Sequence, residues 1–161
     1  MIKKVLMGLG VLFIIQILAI GGFLLYTKFQ QHAHEAQRNL NAPIEIPDTG
    51  IMKYSSDISD EKPIVALFYV DWCTYCRRFM PEFGKLAKKH SDKFNFVVVN
   101  CDYPENKEIV EEFHIGGFPT LFIIDKKIGH NFPLNMAVTS DKELAKKELN
   151  KYLEFRERFV N

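Results

Sequence analysis

Residues 64–76 read IVALFYVDWCTYC, and the fold is decided there. The first seven, 64–70, form a continuous apolar run rich in β-formers, as expected of a central strand buried on both faces. A helical pattern follows from Cys73 to about His90, with Phe79, Phe83, Leu86 and Ala87 on one face. A second apolar run, FNFVVVN at 94–100, reads as another buried strand. Strand, helix and strand in that order require a parallel pair joined by a crossover.

Cys73 and Cys76 stand where the first strand meets the helix. Two cysteines three apart at a helix start can reach each other, so a disulfide can open and close there. The first lies near the unpaired amides and positive end of the helix dipole, which favour thiolate over thiol. Arg77 and Arg78 add positive charge nearby. The expectation is an activated, accessible Cys73 and a more buried Cys76 that resolves its mixed disulfides. A structural zinc site would need about four ligands. The sequence offers only scattered His90, Cys101, His114 and His130, so no metal and no cofactor is expected. His32 and His34 read as solvated linker histidines. Cys101 closes the second strand and reads as a small buried hydrophobe; the sharper alternative is a third redox thiol.

Beyond residue 100 the pattern continues with a short helix at 106–113, edged by Ile109, Val110 and Phe113. A third strand follows at 120–124, a turn at Asp125-Lys126-Lys127, and a fourth strand near 128–133. The last helix is expected from Ser140, with Ser140 and Glu143 at capping-box spacing. Its Leu144, Ala145, Leu149, Tyr152, Leu153 and Val160 recur at helical intervals. The order is β-α-β-α-β-β-α, an α/β domain. In the whole chain of 161 residues, 47% are hydrophobic and 25% charged, which suits one globular domain. A net charge of +1 provides no basic field for nucleic acid, and three cysteines are too few for a disulfide-built scaffold.

Asp71-Trp72-Cys73-Thr74-Tyr75-Cys76 resembles the WCxxC active site of thioredoxin-like proteins. Pro81 matches the proline that kinks the family's active-site helix, and Gly117-Phe118-Pro119-Thr120 resembles its cis-proline loop. The resemblance covers residues 51–161. It implies a thioredoxin fold, a central mixed β-sheet flanked by helices, and thiol–disulfide exchange, with Cys73 as nucleophile and Cys76 as resolving thiol. It further implies a cis bond before Pro119, beside which an extended substrate could pair as an added strand. Trp72, Tyr75 and Phe118 would then form the docking surface. Two positions depart from the family: its buried proton-relay Asp falls on Leu67, and the Lys that partners it falls at about Val98.

The N-terminus is of another character. Residues 5–26 read VLMGLGVLFIIQILAIGGFLLY, 22 residues without a charge. As a helix they would rise ~33 Å, enough for a hydrocarbon core of ~30 Å. Residues 1–4 are expected in the cytoplasm, 5–26 as a transmembrane signal anchor, and 27–50 as a linker. A cleaved signal peptide is the other reading, with Ala19-Ile20-Gly21 as its small-x-small site, but its apolar core is normally shorter, ~7–15 residues. Lys3 and Lys4 on one side and Lys28 and Arg38 on the other leave orientation near a draw. The redox pair favours placing the domain outside the cytoplasm.

Residues 68–73 are also similar to the C-terminal domain of DsbD-type reductants and to the membrane-anchored thioredoxin-like proteins that assist cytochrome maturation. That likeness implies a single-pass inner-membrane protein with its domain in the periplasm. It would be a monomer that reduces the disulfides of client proteins and is itself re-reduced by a DsbD-like membrane electron donor. The alternatives are a disulfide oxidant or isomerase using the same site, and a non-catalytic binding module on the same fold.

Overall fold

The structure is a computed structural model that describes residues 2–55, 57–139 and 141–160, with the side chains of 2–14, 38–41, 136, 142 and 160 outside the description. Lys3, Lys4, the first part of the 5–26 run, Arg38, Ser140 of the expected capping pair and Val160 therefore lie outside the described residues or side chains. The chain divides into two units, residues 1–41 and 42–161. The first is one helix, α1 (Ile2–Asn41). Its described apolar side chains, among them Ile15, Leu18, Phe23, Leu25 and Phe29, are all exposed. Among the described residues no helix is long and apolar enough to cross a membrane.

The second unit follows the order β1 (Met52–Lys53), β2 (Ile64–Tyr69), α2 (Thr74–His90), β3 (Asn95–Asn100), α3 (Lys107–Glu112), β4 (Thr120–Asp125), β5 (His130–Pro133) and α4 (Lys142–Val160). The sheet order is β1-β3-β2-β4-β5. β3 lies parallel to both β1 and β2, while β4 runs antiparallel to β2 and to β5. The mixed sheet with helices on its faces is the expected architecture. β1 was not foreseen: it has two exposed residues and no pattern to read.

β2 is buried throughout, yet its side chains divide by the period of two that a pleat imposes. Val65, Leu67 and Tyr69 pack with α2 and α4, including Phe79, Phe83, Leu149 and Tyr152. Ile64, Ala66 and Phe68 face the other way, against Val97, Val99 and Ile109 of α3. α2 ends on Lys88, Lys89 and His90, cations suited to the negative end of the helix dipole. Pro81 lies inside α2, where it removes one amide from the ladder.

Two boundaries differ from expectation. Residues 42–50, read as the end of a linker, belong to the compact unit. Ile44 is buried among the core residues, Ile46 packs beside it, and Pro47 lies over α2 at Gly84. A Cβ on Gly84 would stand 2.9 Å from the Pro47 ring, so the glycine permits this approach. At the other end, Asp141 caps α4: its Oδ1 accepts from the amides of Glu143 at 3.0 Å and Leu144 at 3.1 Å.

Candidate active site

β2 ends beside β3 and delivers Val70 and the turn Asp71-Trp72 to the start of α2. Cys73 is the N-cap residue, extended at φ −79° and ψ 109°, and its Sγ accepts from the Cys76 amide at 3.1 Å. The Cys73 amide donates to the Val70 carbonyl at 3.2 Å, and the Arg77 amide to the Cys73 carbonyl at 3.1 Å. Cys73 and Cys76 form a disulfide with their Cα atoms 5.2 Å apart. Cys76 is fully buried, whereas Cys73 keeps 6% of its surface open, so of the two cysteines Cys73 is the one nearer solvent. When the bond opens, a thiolate at Cys73 sits at the positive end of a 17-residue helix whose first turn carries no acid.

The register places a second segment against this turn. Phe68 pairs with Thr120, so the residues before β4 lie beside the end of β2. The Phe118–Pro119 peptide bond is cis, and Pro119 is buried. Thr120 Oγ1 ties the loop to the Gly117 carbonyl at 2.7 Å. Phe118 meets Trp72 edge to face, ring centroids 5.9 Å apart. Trp72 and Tyr75 are exposed by 55% and 71%, so a nearly covered disulfide is ringed by apolar surface open to solvent.

The relay positions are apolar as read. Leu67 and Val98 are cross-strand partners, both buried in the same cluster as Cys76. Cys101 is a free, half-buried cysteine, and burial pushes its thiol up to about 12. It is therefore protonated at neutral pH and a poor nucleophile. Burial, reinforced by the Asp71 carboxylate, likewise pushes the Tyr69 phenol up to about 12. The histidines do not gather: among the described residues no three metal-ligating side chains come together.

Polar residues behind the turn add to the site. Asp71 bridges the Ile44 amide and the Asn100 side chain. Asp102 accepts from Trp72 Nε1 at 3.0 Å. Arg77, one of the two cations beside the cysteines in sequence, donates from its guanidinium to the carbonyls of Ala42 and Asp71. The available signal was the placement of Asp71, Asn100 and Asp102 at the ends of two buried strands, where a polar side chain needs a partner.

Comparison with known proteins agrees with this geometry. The Thioredoxin family model matches residues 48–152. The chloroplastic thioredoxin-like protein HCF164 of Arabidopsis thaliana is 34% identical over 76 residues, 47% of this chain and 29% of its own. Protein disulfide-isomerase 1 of Dictyostelium discoideum is 29% identical over 100 residues, 60% of this chain and 28% of its own. The matched stretch thus spans less than a third of either relative's length. Among solved structures, a poplar thioredoxin h mutant superposes with a TM-score of 0.56 at 19% identity, covering 71% of this chain and 91% of its own.

Proposed function

The chain belongs to the thioredoxin family and its domain is that of a thiol–disulfide oxidoreductase; from that premise we propose that it acts as a membrane-anchored reductant of protein disulfides outside the cytoplasm. The observation that carries the chemistry is the asymmetry of the pair. Cys73 is the N-cap and keeps 6% of its surface open, and Cys76 has none of its surface open.

In this reading the Cys73 thiolate attacks one sulfur of a client disulfide, and the other client sulfur leaves as a thiolate. Cys76 then attacks Cys73 in the mixed disulfide. The second client thiolate leaves, and the two electrons of the dithiol have passed to the client. Trp72, Tyr75 and Phe118 supply the apolar surface on which the client docks, and the backbone before Pro119 offers its strand-pairing groups. A DsbD-like dithiol donor in the membrane restores Cys73 and Cys76. Leu67 and Val98 carry no ionisable side chain, so the proton of Cys76 leaves through water or another group.

The direction of electron flow is tested by the equilibrium potential of the pair in the intact chain, titrated against dithiothreitol. A value near ~−270 mV is expected, as for thioredoxin. A value towards ~−120 mV would overturn the reductant and make the protein an oxidant or isomerase.

The anchor is supported by α1. Its described large apolar residues are exposed on the helix, and as a helix the uncharged run at 5–26 is long enough for a bilayer. The full chain is expected to stay with membranes through alkaline carbonate extraction, and residues 42–161 alone to be released. Release of both would overturn the anchor.

A further inference from the structure

We propose that Asp71 is a positioning residue of the redox site, and that the backbone of residues 42–44 is a working part of that site held through it. The proposal rests on the reading that Cys73 attacks the client, and adds what holds Cys73 and its neighbour Trp72 in place.

Asp71 sits one residue beyond Val70 and immediately before Trp72. Both of its carboxylate oxygens are engaged by other segments. Oδ1 accepts from the Ile44 amide at 2.8 Å, and Oδ2 accepts from Asn100 Nδ2 at 2.9 Å. Asn100 is itself 3% exposed, and its Oδ1 accepts from the Asp102 amide at 3.0 Å. Asp102 in turn holds the indole of Trp72 at 3.0 Å. On the other side Arg77, one turn beyond Cys73, donates to the Asp71 carbonyl at 2.6 Å and the Ala42 carbonyl at 2.5 Å. The turn that carries Trp72 and Cys73 is therefore pinned from two directions, and each side has one bond to residues 42–44.

Such pinning matters because disulfide exchange needs the attacking sulfur in line with the bond it breaks. A misplacement of ~1 Å can cost about a hundredfold in rate. Asp71 acts through the turn, and its carboxylate serves as an acceptor between segments that are distant in sequence. A partly buried carboxylate with both of its oxygens hydrogen-bonded fixes geometry better than a lone contact would.

Trp72 is the chain's only tryptophan, so its emission reports on this turn directly. In the full chain, Asp71→Ala is expected to shift Trp72 emission and raise its accessibility to a soluble quencher. It is also expected to lower kcat/KM for insulin-disulfide reduction about tenfold, part of what a ~1 Å misplacement costs. Asp71→Asn keeps an acceptor for the Ile44 amide and should fall between wild type and Asp71→Ala. A lower urea midpoint with Trp72 emission and kcat/KM at wild-type values would make Asp71 merely structural and overturn the proposal. If Asp71→Ala does not fold, Asp71→Asn carries the test, and unchanged emission and kcat/KM in it would overturn the proposal equally. Failure of the wild type to reduce insulin would instead sink the reductase reading, while Trp72 emission would still decide the positioning.

Discussion

Replacing Cys73 by serine is expected to lower insulin-disulfide reduction by about three orders of magnitude or more, the scale on which loss of a catalytic nucleophile acts. A serine hydroxyl does not ionise near neutral pH and cannot form the mixed disulfide. Cys76→Ser should fail differently. Its Cys73 remains reachable and can attack, but nothing behind it releases the client, so a covalent adduct should accumulate. Non-reducing gels after incubation with a disulfide substrate separate the cases: adduct with Cys76→Ser, none with Cys73→Ser. Adduct from Cys73→Ser, or full turnover by Cys76→Ser, would reverse the roles assigned to the two sulfurs.

Arg156→Met is expected to cost about 3 kcal/mol of stability, the range found when one partner of a buried ion pair is removed. Asp125 is 1% exposed. It accepts from Tyr152 Oη at 2.5 Å, Arg156 Nε at 2.7 Å and the Lys127 amide at 2.9 Å. Burial alone would raise its carboxyl, but the Tyr152 and Arg156 hydrogen bonds outweigh burial and hold it below the usual range. A lowered folded-state value means that the unfolded chain binds the proton more readily. The stabilisation is therefore fully present above the unfolded value of about 3.9 and is lost as pH falls through the folded one. Without Arg156 the burial effect is less opposed, so the acid limb should move to higher pH. Urea midpoints across pH 3–7 (roughly the carboxylate range and above) measure both effects. An unchanged midpoint and an unchanged acid limb would show that the pair does not stabilise the domain.

These two sites were unequally visible in the amino-acid order. The redox pair could be read because its parts are local: a fully buried strand, a helix start and two cysteines all lie within residues 64–76. The loop at Phe118 and Pro119 needed a resemblance, since side-chain patterns do not show a peptide isomer. Asp125 read only as a turn residue, because its partners lie 27 and 31 residues away on another element. Residues 42–50 carry the prolines and glycine of a linker, while Ile44 and Ile46 are the mark of a segment with a buried side. β1 was invisible because two exposed residues owe their strand to the neighbour β3 and carry no pattern of their own.

The sheet's borders bear on how such molecules behave when many share one surface. β1 is two residues long, and β5 has four residues and ends on Pro133, which has no amide hydrogen to offer. A free strand edge is a template on which a second chain can add, and crowding multiplies encounters between copies. Edges this brief give an incoming strand little to pair with. The domain can therefore be concentrated and still resist joining its neighbours into a continuous sheet.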